Sequence, residues 1–152
     1  MLNLFIQLFN KDINTTKMEY LRKGLSKVKD TMTQVDLMTK LAEATANETG
    51  LASISLLNEL ASRTDNPEEC SIISKHCAKV LTSKPKLWKK IQRDLALIEH
   101  IIKTGSQNFI DQIKDERDKL RDLYEFTYEE DYKDRGETSN YKKIIKYIIL
   151  LI

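Results

Sequence analysis

The sequence predicts an all-α fold, and three observations carry that prediction. Apolar residues recur at helical spacing along almost all of the 152 residues. Turn formers are scarce, with 4 Gly and 2 Pro, too few for a many-stranded β protein that reverses direction at every hairpin. The breaks between apolar stretches carry helix caps. A content of 41% hydrophobic and 32% charged residues excludes a disordered chain, which is poorer in Leu and Ile, and the length suits one domain with a single core.

The elements follow in order. Met1 to Phe9 is apolar, without the basic region and small-residue cleavage site of a secretory signal, and is too short to span a bilayer. Met18, Leu21, Leu25 and Val28 give a first amphipathic stretch with Gly24 in its middle. Thr33 is placed to cap a second helix with Val35, Met38, Leu41 and Ala42 inward. A third carries Ile54, Leu57 and Leu60 or Ala61 inward. Asn66-Pro67 opens a helix through Ile72, Ile73, Cys77, Val80 and Leu81. Ser83 and Pro85 repeat that device for the longest helix, with Trp88, Ile91, Leu95, Ile98 and Ile102 on its core face and Gly105 as a left-handed terminator. Shorter helices carry Phe109, Ile110 and Ile113, then Leu120 and Leu123. Tyr124 to Thr138 is acidic and aromatic without clear period and reads as a long ordered loop, after which Ser139 or Asn140 caps a last helix to Ile152.

About eight helices with short links imply stacked antiparallel pairs in an α-superhelix, with no repeat of fixed period. The C-terminal run Ile144 to Ile152 is interrupted by Lys146 and too short to span. Either apolar end would pack on the domain, cover a groove, or mark where a longer protein was cut. Without a secretory signal, Cys70 and Cys77 are expected as reduced thiols in a cytoplasmic protein, and their seven-residue spacing on one helical face suits two small buried residues better than a metal site with His76. A cofactor is not expected, and neither is an enzyme: there is no phosphate-cradling glycine loop and no orienting partner for a Cys77–histidine nucleophile.

The net charge of +2 conceals a segregation. From Cys70 to Arg93 there is no carboxylate, while Lys75, Lys79, Lys84, Lys86, Lys89, Lys90 and Arg93 are all cationic; Lys17, Arg22, Lys23, Lys27 and Lys29 add to this near the N-terminus. Asp111 to Thr138, in contrast, holds eleven acids and six bases. This separation points to an anionic ligand on one side of the molecule, although lysine runs are also common on solvated faces. Nucleic acid fits poorly, because no aromatics interleave with the cations beyond Trp88.

Three blocks then become specific. Trp88-Lys89-Lys90 runs through Leu97-Ile98-Glu99-His100-Ile101-Ile102 to Lys103-Thr104-Gly105-Ser106; Leu120, Leu123, Phe126, Tyr128, Asp131, Lys133-Asp134 and Gly136 follow; Glu43-Ala44-Thr45-Ala46-Asn47 lies upstream. Together they resemble the epsin N-terminal homology (ENTH) domain over about residues 18 to 150. The resemblance implies a right-handed superhelix of about eight stacked helices, similar to VHS domains, with residues 1–16 as an N-terminal extension and 17–152 as the domain. It further implies that Phe126 and Tyr128 pin the loop to the bundle.

For function, the resemblance implies a peripheral membrane adaptor module that binds phosphatidylinositol phosphates in clathrin-associated vesicle trafficking. Arg22, Lys23, Asn47, Lys79, Lys86 and Lys90 would meet the headgroup, and Met18, Leu21, Leu25 and Val28 would enter the anionic membrane surface. An ordinary packed first helix or a disordered lead is the other reading of that stretch. Ala42 and Val80 stand where headgroup-binding members have arginine, which implies a weaker, less selective site. That would place the chain nearer the Golgi and endosomal branch, which is similar in binding the N-terminal helical bundle of a SNARE protein. Clathrin and adaptor motifs, which the family carries in a disordered tail, are absent from these residues. The alternative function is a protein-only interaction domain without lipid specificity.

Overall fold

The computed structural model describes residues 1–125 and 135–152, the last stretch with side chains from residue 142 onward. Phe126, Tyr128, Asp131, Lys133 and Asp134, quoted above for the loop, lie outside the described residues. The helices are α1 (Leu2–Ala44), α2 (Ile54–Arg63), α3 (Pro67–Leu81), a 3₁₀ turn (Pro85–Leu87), α4 (Trp88–Thr104), α5 (Gln107–Lys114), α6 (Arg117–Glu125) and α7 (Arg135–Leu151). The fold is all-α, as the sequence predicts, with seven α-helices among the described residues rather than about eight. The chain divides into two compact units, Met1–Asp36 and Leu37–Ile152.

The count falls by one because the first two expected helices are a single element of 43 residues. Thr33 is not a cap: its hydroxyl donates to Lys29 O at 2.9 Å, and Thr15, Thr16 and Thr31 bond in the same way to the carbonyls of Lys11, Asp12 and Lys27. A threonine that bonds one turn back sits inside a helix. Gly24 costs only about 1 kcal/mol against alanine, too little to break so long an element. In the first unit this helix exposes Leu2, Leu4, Phe5, Leu8 and Phe9, with the two Phe rings stacked at 6.4 Å, and Val35, expected inward, is also exposed.

The second unit holds the core. The end of α1 supplies Leu37, Leu41 and Ala44; α2 supplies Leu56, Leu57, Leu60 and Ala61; α3 supplies Cys70, Ile73, Cys77 and Leu81. Helix α4 lies at the centre, touching α2, α3, α5 and α7, with Ile91, Leu95, Ile98 and Ile101 buried. Phe109, Ile113, Leu120 and Leu123 close the other side. The C-terminal run packs on the domain: Ile145 and Ile148 are fully buried, and Ile144, Ile149 and Ile152 lean on the core.

Local signals succeed where they satisfy backbone groups. Asn66 caps α3, its Oδ1 accepting from the amides of Glu68 and Glu69 at 3.0 and 3.2 Å, with Pro67 in the first turn. Elsewhere the structure corrects the reading. Ser83-Pro85 opens the 3₁₀ turn, capped at Lys84, and α4 begins only at Trp88. Trp88 is half-buried rather than core, with the Lys89 ammonium 5.5 Å from its ring centre. Met38 and Ala42 are exposed, since α1 turns Leu37, Leu41 and Ala44 inward instead, and Ile54 is exposed because α2 buries Leu56 and Leu57. Helix α7 starts at Arg135, so Ser139 and Asn140 lie within it, and Tyr124 belongs to α6 rather than to a loop.

Gly105 ends α4 with φ −93° and ψ −162°, an extended rather than a left-handed residue. Its lack of a side chain serves close approach: a Cβ there would meet Ile101 Cγ2 at 2.6 Å and Thr64 Oγ1 at 2.9 Å. Ser106 follows, donating its amide to Thr64 Oγ1 and its hydroxyl to Thr64 O, both at 2.9 Å, while capping Phe109 N. The end of α2 is thereby fastened to the α4–α5 junction.

Candidate anion-binding site

The segment between α1 and α2 is bonded to α3 through His76 and to α4 through Arg93. Thr45, almost fully buried, donates its hydroxyl proton to Leu41 O at 2.8 Å and lies 2.9 Å from His76 Nε2 on α3. A hydroxyl has one proton to give, so His76 Nε2 carries the hydrogen and donates to Thr45. His76 is half-buried and its pKa is lowered, first by burial and then by the positive charges of Lys90 and Lys79. The imidazole is therefore neutral at pH 7, and the cause places cations of α3 and α4 within electrostatic reach of it.

Lys79 on α3 and Lys90 on α4 thus both bear electrostatically on His76. Lys79 is exposed and Lys90 half-buried. Lys86 is exposed on the 3₁₀ turn, four residues before Lys90, and Asn47 is exposed two residues beyond Thr45. Arg22 and Lys23 belong to the first unit, where both are exposed. Met18, Leu21, Leu25 and Val28 lie there too, at 61%, 49%, 70% and 57% exposure. They present apolar surface to solvent rather than to a core.

Two residues of the site region escaped the sequence reading. His76, weighed only as a metal ligand, stands three positions before Lys79 on one helix, a spacing that puts both on one face. Arg93, counted with the surface cations, is buried and bonded to three main-chain carbonyls: Ala44 O at 3.1 Å, Glu43 O at 3.0 Å and Gly50 O at 3.4 Å. It is removed from the exposed basic set.

Asp94 is fully buried beside the Cys77 thiol, and neither carboxyl oxygen has a hydrogen-bond partner at normal range. Burial pushes this carboxyl well above the usual carboxylate range, and Cys77 and Lys90 only partly offset it. Burial also raises the Cys77 thiol, with Asp94 adding to the rise. Burial thus disfavours the charged form of Asp94, and the Cys77 thiol keeps its proton at neutral pH, so Cys77 is no thiolate nucleophile. Lys79 and the half-buried Lys90 can gather negative charge; the buried Asp94–Cys77 pair offers no reacting group to solvent.

Among the described residues no helix is long and apolar enough to cross a membrane. The family model that matches is that of the ENTH domain, over residues 18–152. Rat epsin-1 is 32% identical over 114 residues, which are 74% of this chain and 20% of the relative. Epsin-3 of Saccharomyces cerevisiae is 30% identical over 135 residues, 88% of this chain and 32% of the relative. The chain spans about a fifth of the length of the epsin-1 and epsin-2 relatives it matches. Among solved structures, the human epsinR ENTH domain superposes with a TM-score of 0.68 at 22% identity, covering 75% of this chain and 84% of that one. The ENTH domain of epsin-2 in complex with phosphatidylinositol 4,5-bisphosphate superposes with a TM-score of 0.68 at 23% identity, covering 75% and 80%. These superpositions establish the fold.

Proposed function

The chain belongs to the ENTH domain family, and from that premise we propose that it is a peripheral membrane adaptor module that recognises phosphoinositide headgroups in clathrin-associated vesicle trafficking. What supports this reading is that α3 and α4, which carry Lys79 and Lys90, both bond the segment that carries Asn47, through His76 and Arg93, and that His76 feels both positive charges. In this reading Asn47 contributes a neutral hydrogen-bonding group and Lys86 a further cation, both exposed. Arg22 and Lys23 of the first unit add positive charge for an anionic surface. Met18, Leu21, Leu25 and Val28 supply the apolar part, and shallow burial and surface charge act together in such binding, each basic residue contributing about 1 kcal/mol. In this reading residues 1–16 are an extension ahead of the domain. A SNARE N-terminal bundle is the proposed protein partner, and clathrin and adaptors would be engaged by a tail outside these residues.

The set is rich in lysine, which meets phosphate as a point charge without arginine's bidentate fork. Weak and salt-sensitive binding follows. Support also comes from the epsin-2 domain of the same fold, which has been solved with phosphatidylinositol 4,5-bisphosphate.

Vesicle flotation tests the proposal, with phosphatidylcholine vesicles carrying or lacking phosphatidylinositol bisphosphate at two salt concentrations. The wild-type chain floats only with the phosphoinositide and less at high salt. The Lys86→Glu/Lys90→Glu protein no longer floats, because two reversals near an anionic surface remove roughly a hundredfold or more of the affinity, while its helical content and melting stay as in the wild type. Binding independent of phosphoinositide, or none at all, favours the protein-only interaction domain. A charge-reversed protein that still floats locates the site elsewhere.

A further inference from the structure

One cation of the basic run is turned inward, and what it holds is the segment that carries Asn47. Arg93 is 7% exposed. Its Nε donates to Ala44 O at 3.1 Å, its Nη2 to Glu43 O at 3.0 Å and its Nη1 to Gly50 O at 3.4 Å. Glu43 and Ala44 are the last residues of α1, where carbonyls lack helical donors and the negative end of the helix dipole lies. Gly50 has φ 88°, a left-handed turn residue on the way to α2. The guanidinium therefore ties together the two ends of the segment 44–50, with Thr45 and Asn47 between them. Only a planar fork reaches three carbonyls in this way; an ammonium is a single point on a flexible stem.

We propose that Arg93 is a positioning residue of the anion site: it fixes the 44–50 segment and contributes to headgroup affinity through Asn47, not by touching phosphate. The inference rests on the phosphoinositide reading given above. His76, which donates to Thr45 at 2.9 Å, holds the same segment from α3, so the turn is clamped from both sides.

The test is a double-mutant cycle on the full chain, using phosphatidylcholine vesicles with phosphatidylinositol bisphosphate. Affinities are measured at several salt concentrations for the wild type, N47A, R93Q, R93K and N47A/R93Q. R93Q and R93K each lose about fivefold in affinity, the scale of a hydrogen bond or two. The slope of log affinity against log salt stays that of the wild type, because no phosphate contact is removed. In the N47A background, R93Q costs less than about twofold, as it must if the two residues act on one contact. R93K keeps the charge and carries the comparison should R93Q unfold, and amide exchange at residues 45–50 quickens in R93K while the core is unchanged. Arg93 would instead be a phosphate ligand if R93K bound as well as the wild type, or if R93Q lowered the salt slope. Fully additive losses in the cycle would also overturn the proposal. Loss of all wild-type binding would remove the anion site itself, and this inference with it.

Discussion

Asp94 shows how one residue can be legible and still be missed. It falls among Ile91, Leu95 and Ile98, so the helical period alone puts it on the buried face of α4, as the structure finds. Its surroundings were not legible, because the Cys77 thiol that meets it comes from α3. Held in a site that disfavours charge, the Asp94 carboxyl keeps its proton in the folded chain above 3.8, the value at which it titrates when unfolded. The sign follows. Below 3.8 both states are protonated and the group is neutral to folding; as the pH rises past 3.8, the unfolded chain releases the proton first. Stability is lost with rising pH, by at most about 1.4 kcal/mol per unit, until the folded-state value is passed. D94N cannot ionise, so its chemical-denaturation stability gains on that of the wild type as the pH rises through this interval. Parallel pH profiles for the two proteins would contradict the assignment.

At the scale of elements, short-range chemistry is well encoded and summed weak preferences are not. Asn66-Pro67 specifies the start of α3 because the cap is made within three residues. Gly105-Ser106 marks the α4–α5 junction, yet the reason for the glycine, its approach to Thr64 from another helix, lies outside any local window. Helix α1 is the opposite case. Gly24 and Thr33 each suggest a break, but each penalty is small beside the hydrogen bonds of a long helix, and the element continues. Gly24 has open space where a Cβ would stand, so an alanine there meets no obstacle. G24A is expected to stabilise the helix by about 1 kcal/mol, slowing amide exchange at residues 20–28 about fivefold. Unchanged exchange would mean that this stretch is not helical in solution.

At the scale of the whole molecule, fold class came from periodicity, while the site depended on which cations point outward. A run such as Lys86, Lys89, Lys90 and Arg93 reads as uniformly basic; only packing shows that Arg93 is spent on main-chain carbonyls. The residues that escaped notice, His76 and Arg93, are those whose partners lie 31 to 50 positions away. The stretch 111–122, where Asp111, Asp115, Glu116, Asp118 and Asp122 are interspersed with Lys114, Arg117, Lys119 and Arg121, carries no excess of cations and acts as an internal control. Titration of the isotopically labelled chain with inositol trisphosphate, followed by amide chemical shifts, tests the central claim most directly. The account predicts that the shifts gather at residues 45–47, 76–79 and 86–90 and leave 111–122 unmoved. Shifts confined to other surfaces, or none at millimolar ligand, would contradict it.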